Sequence, residues 1–353
     1  MKNNNIIKVG TDFSGIGSPE QALTNLGINY ESVFACEIDK FARQSYSAIH
    51  KKPKTFYTDI TKRNHSEVEQ LDLYIAGFPC QTFSLAGNRK GFDDVRGTLF
   101  FDVADFIRTN RPKAFIFENV RGLVSHENGS TFQTIISLLT DNGGTSNGQI
   151  SIPYFVDGLG YHVYYYIMNS KHHGVPQNRE RIFIVGFRDF RTFTFPKPEP
   201  LKTKLKNILE SVPDEKYILN SVTLNKLRQG YRNDLETNDN IDEIRIRNAT
   251  TKGYDIAKEG DSIYLGFPNS KTRRGRIGRG IARTLDTESN QAVLSQHRIR
   301  RLTPLECWRL QSFPDEQFKK AESVCSDTQL YKQAGNSITV AVIQKLIKKI
   351  LCL

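Results

Sequence analysis

Cys80 stands in the string Gly77-Phe78-Pro79-Cys80-Gln81, directly after the apolar run 71–76. A thiol in a loop at the carboxyl end of a buried strand is exposed and preorganised, and its thiolate is a strong nucleophile where the surroundings help it ionise. Glu118, in Phe117-Glu118-Asn119-Val120, follows a second apolar run, 114–117, where a carboxyl suits proton transfer or a hydrogen bond to substrate. Arg179 and Arg181, in Gln177-Asn178-Arg179-Glu180-Arg181, would share one face of a strand and suit a phosphate or a base carbonyl. Phe13-Ser14-Gly15-Ile16-Gly17 is a glycine turn between an apolar run and a helical pattern, the setting for an adenosine-bearing cofactor. Glu37 lies twenty residues past Gly17, a spacing that suits a carboxylate on ribose hydroxyls. The third glycine of the dinucleotide pattern GxGxxG is absent, with Glu20 in its place, which argues against a nicotinamide cofactor. In the basic stretch 271–280, Arg273, Arg274, Arg276 and Arg279 alternate with glycines that let the backbone approach a ligand; arginine fits guanine edges and phosphates.

Taken singly, each feature has a plainer reading: a tight turn, a small buried thiol, a salt-bridged glutamate, a solvated charged edge or loop. Cys36, Cys307, Cys325 and Cys352 keep that plainer reading. The seven histidines, the pair His172-His173 included, show no ligand spacing, so no metal site is expected.

These residues need elements to bring them together. Apolar runs at 6–11, 33–36, 71–76, 114–117, 161–168 and 181–187 alternate with helical patterns, which predicts a parallel sheet covered on both faces. Gly15, Glu37, Cys80 and Glu118 each fall just past a strand's carboxyl end, the edge where open α/β sheets bind ligands. The first helix is expected to open at Ser18 as its cap, with Pro19 at its first position and Gln21 closing a capping box, and to end at Gly27. After about residue 190 the prolines Pro196, Pro198 and Pro200 interrupt the rhythm, and the stretch to about 297 reads as an irregular lobe. Residues 338–351 form an amphipathic helix whose wide apolar stripe needs the main core. The expected organisation is 1–189, then 190–297, then 298–353 returning to the first domain.

The chain has 353 residues, room for two domains, with 25% charged and 38% hydrophobic residues, values that exclude wholesale disorder. Forty-nine Lys and Arg against thirty-eight Asp and Glu leave a net charge of +11, which leans toward a polyanionic partner. No apolar run approaches the ~20 residues of a membrane span, and residues 1–10 lack a secretory stretch, so a cytoplasmic protein without membrane contact is expected. Five cysteines with no CxxC spacing exclude a disulfide scaffold or a zinc ribbon.

Together the motifs resemble one family, the bacterial DNA (cytosine-5)-methyltransferases of restriction–modification type. The resemblance runs from Phe13 to about Arg188 and from Arg301 to Ser337. Its blocks follow the family's order: the glycine turn, Glu37-Ile38-Asp39, Asp59-Ile60, the Cys80 string, Glu118-Asn119-Val120, Gln177 to Arg181, Arg301-Leu302-Thr303-Pro304-Leu305-Glu306-Cys307, and Gly335-Asn336-Ser337. It implies a Rossmann-like α/β fold of the S-adenosylmethionine-dependent methyltransferases, with a second, smaller and irregular target-recognition domain. It implies that Cys80 attacks carbon 6 of a flipped cytosine, that Glu118 contacts ring nitrogen 3 and the exocyclic amine, and that Arg181, with Arg179, holds the base carbonyl and nearby phosphate. S-adenosylmethionine, leaving as S-adenosylhomocysteine, would be held by Phe13, Ser14, Gly15, Gly17, Glu37, Ile38, Asp59, Pro79, Leu99, Asn336 and Ser337. DNA contacts would fall to Gln81, Ser84 and Arg96 on a catalytic loop spanning 81–96, and to Arg273, Arg274, Arg276, Arg279, Arg283 and Thr284, with Arg283-Thr284-Leu285 resembling the family's Thr-Leu element. The partner would be double-stranded DNA, the enzyme a monomer, and any cognate restriction endonuclease a separate protein.

The chain departs from the family in two places. Many members carry Asp-Leu-Phe where this chain has Thr11-Asp12-Phe13, so the acid is displaced by one, and residues 141–150 form a polar insertion. Three rivals stay open at this point: an RNA cytosine methyltransferase, disfavoured by the missing Cys-Phe-Thr string; a catalytically silent DNA-binding paralogue, disfavoured by Cys80, Glu118 and Arg181; and a nicotinamide oxidoreductase, disfavoured by Glu20.

Overall fold

The computed structural model describes residues 6–79, 99–140, 158–228, 243–267, 270 and 272–352. Cys80, Gln81, Ser84 and Arg96, with the rest of the expected catalytic loop, lie outside these residues, as does the 141–150 insertion. The chain divides into two compact units. The first comprises Met1–Met168, Glu180–Lys197 and Val342–Leu353, the second Asn169–Arg179 and Pro198–Ala341.

Among the described residues, the first unit is built on seven strands. They are β1 (Ile7–Asp12), β2 (Tyr30–Cys36), β3 (Thr55–Tyr57), β4 (Leu73–Ala76), β5 (Ala114–Val120), β6 (His162–Asn169) and, after the short β7 (Gln177–Asn178) of the second unit, β8 (Glu180–Phe187). The sheet order is β3-β2-β1-β4-β5-β8-β6. β1 to β5 pair in parallel and β8 runs antiparallel to β5. The chain winds outward from β1 to β3 and then resumes on β1's other side at β4. The strand order therefore reverses between β1 and β4, and a doubly wound sheet binds ligands beyond the carboxyl ends at that point. Helices α1 (Ser18–Asn25), α2 (Lys40–Ile49), α3 (Leu99–Asn110) and α4 (Ser130–Leu139) connect the strands. Phe34, Phe100, Phe106, Phe115 and Phe117 are fully buried in the core, and each such ring stabilises the fold by about 1.5–3 kcal/mol.

The helix α1 opens differently from its sequence expectation. Gly17, not Ser18, is the cap, at φ 81°, and no side chain among the described residues caps the helix. A Cβ at Gly17 would stand 2.3 Å from the His50 imidazole, so both the backbone angle and the space require glycine. Gly27 does end the helix at φ 65°.

The second unit carries α5 (Ser221–Arg228) and the hairpin of β9 (Glu243–Arg247) and β10 (Tyr254–Lys258). A four-stranded sheet follows, built from β11 (Ser262–Tyr264), β12 (Ile277–Gly278), β14 (Gln291–Ser295) and β15 (Arg298–Arg301) in the order β12-β11-β14-β15. β13 (Ala282–Arg283) pairs in parallel with β7. Ile244 and Ile246 alternate inward from β9 to a core with Ile263, Leu294 and Ile299.

Compactness sets the boundaries away from 190 and 297. The helices α6 (Pro304–Arg309), α7 (Asp315–Glu322) and α8 (Asp327–Asn336) belong to the second unit, not the first. Side-chain bonds show why: Trp308 donates to the Leu330 carbonyl, Tyr331 to the Leu302 carbonyl, and Arg300 makes a buried two-point pair with Glu306 at 2.8 and 2.7 Å. The last helix, α9 (Val340–Ile350), returns to the first unit, from Val342 on. There Arg191 donates to the Ile350 carbonyl at 2.6 Å.

Candidate active site

The carboxyl end of β1 runs into the glycine turn. Phe13 is in a left-handed conformation at φ 54°, a strained setting for an aromatic residue, and packs against the core. Ser14 locks the turn to the end of β2: its N–H donates to the Cys36 carbonyl at 2.9 Å, and its hydroxyl accepts from the Cys36 N–H at 2.9 Å. Beyond β2, Glu37 spans the gap. One carboxylate oxygen accepts from the Gly15 N–H and the other from the Asp39 N–H, both at 2.8 Å. Ile38 beside it is 76% exposed, a large apolar surface at a polar sheet edge. Asp59 caps the turn that follows β3, accepting from the Thr61 N–H and hydroxyl. The hydroxyl bond and then the N–H bond hold its carboxyl below the ordinary value.

These residues fit an adenosine-bearing cofactor. Glu37 is a fixed carboxylate with unused lone pairs for ribose hydroxyls, Ile38 and Phe13 offer apolar surface for a purine, and Asp59 is an ionised acceptor for an amine. Pro79 is exposed at the end of the β4 segment, and Leu99 opens α3 against the core. Asn336, exposed, and Ser337, buried, lie in the second unit.

Next along the sheet, β5 and β8 bring the candidate chemistry together. Val120 pairs with Arg181 and Glu118 with Phe183 across the antiparallel ladder. Arg181 Nε donates to a Glu118 carboxylate oxygen at 2.9 Å, and the two side chains keep 17% and 12% of their surface exposed. The neighbouring Asn119, not assigned a role from sequence, donates to the Phe78 carbonyl at 2.9 Å and accepts from the Val120 N–H. It thereby fixes the backbone two residues before Cys80. The signal for it was present, since Asn119 sits inside the Glu118 motif.

Two further residues were not legible. Arg63 is buried beneath the sheet edge, where it makes a two-point pair with Asp12 at 2.7 and 2.8 Å and lies 4.4 Å from the ring centres of both Phe34 and Phe106. Tyr74 donates to the same Asp12 at 2.5 Å. The displaced acid of this chain is thus spent inside the fold. Burial, then the Asp12 carboxylate, pushes the Cys36 thiol well up, so it stays protonated. The second residue is Glu20, buried behind the glycine turn.

Several expected contacts are corrected by the geometry. Arg179 does not share Arg181's setting. It is 3% exposed and its guanidinium donates to the carbonyls of Leu285, Gly335 and Ser337, all in the second unit. Its task is to fasten those segments, not to meet a base. Gln177 does the same, donating to the Leu310 carbonyl and accepting from the Leu285 N–H. Gly335 is needed because a Cβ there would stand 2.4 Å from the Asp286 carbonyl. Arg276 is 2% exposed and donates to the carbonyls of Tyr264, Gly266 and Phe267, so it holds a loop from within. Arg279 is paired with Asp255 and with Asp261, which cancels the charge it would bring to a phosphate. The Thr284 hydroxyl donates to the Asn178 carbonyl at 2.7 Å and ties β13 to β7. Arg273 instead lies over the Tyr264 ring, its guanidinium carbon 4.0 Å from the ring centre. Arg274 is exposed, with Nε on the Ala249 carbonyl, and Arg283 is half-buried beside Gly275.

A doubly wound sheet whose switch-point edge carries a glycine turn, a ribose-type acid and a carboxylate–arginine pair defines the S-adenosylmethionine-dependent methyltransferase class of fold. Comparison with known proteins narrows the class. The family model for C-5 cytosine-specific DNA methylases matches residues 8–352. The type II methyltransferase M.HpaII of Haemophilus parainfluenzae is 37% identical, over 96% of this chain and 87% of that protein. M1.ScrFI of Lactococcus lactis subsp. cremoris is 36% identical, over 96% and 76%. The orphan methyltransferase M.SPRI of Bacillus phage SPR is 30% identical, over 98% and 97%. Among solved structures, the S. pombe Dnmt2 methyltransferase matches with a TM-score of 0.65 at 18% identity, covering 98% of each chain, a likeness of fold. The chain belongs to the C-5 cytosine-specific DNA methylase family, and it is a DNA (cytosine-5-)-methyltransferase. No helix among the described residues is long and apolar enough to cross a membrane.

Proposed function

We propose that this enzyme methylates carbon 5 of a cytosine flipped out of one short duplex DNA sequence, through a covalent bond between Cys80 Sγ and carbon 6. When bound, S-adenosylmethionine supplies an electrophilic methyl group. The residues of the first unit that would hold it are the turn Phe13 to Gly17, Glu37, Ile38, Asp59, Pro79 and Leu99. The protein's own part begins with base flipping, because the reacting carbons of a stacked cytosine are out of reach; unstacking costs a few kcal/mol, roughly, and cationic contacts to phosphates offset it. Addition of the Cys80 thiolate to carbon 6 would move electron density to carbon 5, which would take up the methyl group; loss of the carbon-5 proton to a base, with expulsion of the thiolate, would then restore the aromatic ring.

The observation that carries this reading is the Glu118–Arg181 pair at the sheet edge, with Asn119 holding the Phe78 carbonyl close to Cys80 in sequence. Glu118 would hold ring nitrogen 3 and the amine, and Arg181 the carbonyl at carbon 2, a polar pattern that fits cytosine's edge. Arg273, Arg274 and Arg283 of the second unit would contact the duplex. The enzyme would act as a cytoplasmic monomer within a restriction–modification system whose endonuclease is a separate protein.

Bisulfite sequencing of plasmid DNA incubated with protein and S-adenosylmethionine tests this. Protected cytosines at one recurring short sequence are expected. A folded, cofactor-binding protein that protects none would overturn it.

A further inference from the structure

Glu20 fills the position that a third glycine holds in dinucleotide-binding turns, and the reading of the active site leaves it without a task. Its side chain is 1% exposed. One carboxyl oxygen accepts from the Thr11 hydroxyl of β1 and from the Tyr46 hydroxyl of α2, both at 2.9 Å. The Thr11 hydroxyl is in turn 2.9 Å from that of Ser14, the residue that locks the glycine turn to β2. The other carboxyl oxygen, also buried, has no hydrogen-bond partner among the described residues. The titratable groups facing Glu20 are Tyr46 from α2 and Tyr30 from β2, whose hydroxyl reaches the Glu20 carbonyl at 3.4 Å. His50, beyond Tyr46, is directed at the Ile16 carbonyl. No cation among the described residues pairs with the carboxyl.

We propose that Glu20 works as a neutral carboxylic acid, and that in this form it is a positioning residue joining β1, α1 and α2 beneath the turn that binds the cofactor. An ionised carboxylate here would leave one oxygen buried without a donor or a counter-charge, which is far costlier than a buried hydroxyl. Burial raises the carboxyl above its ordinary range against its two hydroxyl donors, and it raises Tyr46 as well, so the two stay neutral together. The sign of the linkage follows. The folded chain binds this proton more tightly than the unfolded chain does. The proton's contribution is complete below the ordinary carboxyl range and is lost as pH rises toward the raised value. Above that, the turn loses its anchor and cofactor affinity falls.

The proposal rests on the reading that this turn holds S-adenosylmethionine, and the test separates the two. The full chain and its Glu20→Gln and Glu20→Ala variants are compared by thermal unfolding without ligand, from about pH 5 to about pH 9, and by calorimetric binding of S-adenosylhomocysteine at both ends of that range. Glutamine reproduces the neutral acid's shape and acceptor but cannot ionise. The melting temperature of Glu20→Gln is expected to gain on the parent by several degrees as pH rises. Its affinity should stay within about threefold of the parent at low pH, whereas Glu20→Ala binds roughly tenfold more weakly throughout. Parallel melting profiles for parent and Glu20→Gln would overturn the neutral acid, and a Glu20→Gln affinity as poor as that of Glu20→Ala would overturn the positioning role. A parent that melts normally but does not bind S-adenosylhomocysteine would overturn the cofactor reading, and with it the positioning role, while the melting profiles still decide the protonation.

Discussion

Arg181 holds Glu118 through Nε and donates Nη1 to the Glu180 carbonyl at 2.9 Å, so both side chains are oriented before any substrate arrives. A preoriented carboxylate and guanidinium are worth more to a developing charge than mobile ones, because nothing reorganises during reaction. Glu118→Gln keeps the shape but removes the charge that Arg181 answers. The turnover number for methyl transfer should fall by about a hundredfold or more, with the KM for DNA changed by only a few-fold. Steady-state incorporation of labelled methyl groups checks this; a change confined to KM would move Glu118 from chemistry to binding. The basic stretch shows a different side of the same scale. Its arginines look alike in sequence, yet Arg276 points at carbonyls and Arg279 at carboxylates, while Arg273 lies against an aromatic face. A loop has no period that would tell an inward side chain from an outward one, so the four could not be separated before their partners were known.

The elements beneath the site are held by polar ties as well as by the aromatic core. The Asp12–Arg63 pair joins the end of β1 to the segment after β3, with neither side chain exposed to solvent. Both charges have lost their water, and each depends on the other. Arg63→Met should therefore destabilise the first unit by about 3–5 kcal/mol, because it leaves Asp12 buried without its counter-charge. The double change Asp12→Asn, Arg63→Met should recover part of that loss. A denaturant double-mutant cycle measures both; strictly additive losses would show that the two residues stabilise the fold independently. The strands that carry the site were legible because each buried apolar run ends in a turn residue or an acid at the edge. The capping box Thr303-Pro304-Leu305-Glu306 was legible only as a motif, and the structure gives its physical content: Thr303 accepts from the Glu306 N–H while Glu306 accepts from the Thr303 N–H and from Arg300. The start of α1 misled because Gly17, left-handed and with no room for a Cβ beside His50, takes the cap position ahead of Ser18. The boundary at 297 misled because α6 to α8 look like a resumed α/β rhythm, while their partners lie on β15 and on one another.

Over the whole chain the net charge is +11, but that sum does not say which cations can meet DNA. Arg63, Arg279, Arg300 and Arg309 are answered by carboxylates, and Arg179 and Arg276 by carbonyls. Counterion release depends on cations that reach phosphates, not on formal charge, and each phosphate neutralised contributes about 0.9 to the slope of log affinity against log salt. Arg274→Ala and Arg276→Ala remove the same formal charge and so form a controlled pair. Arg274 is exposed, and its loss should flatten the slope by about one while leaving the melting temperature within a degree or so. Arg276 is buried, and its loss should leave the slope unchanged but cost about 2 kcal/mol or more, because three carbonyls lose a charged donor. Burial, with Arg273 and Arg247 nearby, holds the Arg276 guanidinium below its ordinary value, which is the setting of a cation turned away from solvent. Fluorescence anisotropy of a labelled duplex across a salt series, alongside thermal unfolding, reads both quantities. Equal slope changes from the two variants would mean that formal charge alone governs association, and that the inward turn of Arg276 has no bearing on how this enzyme holds DNA.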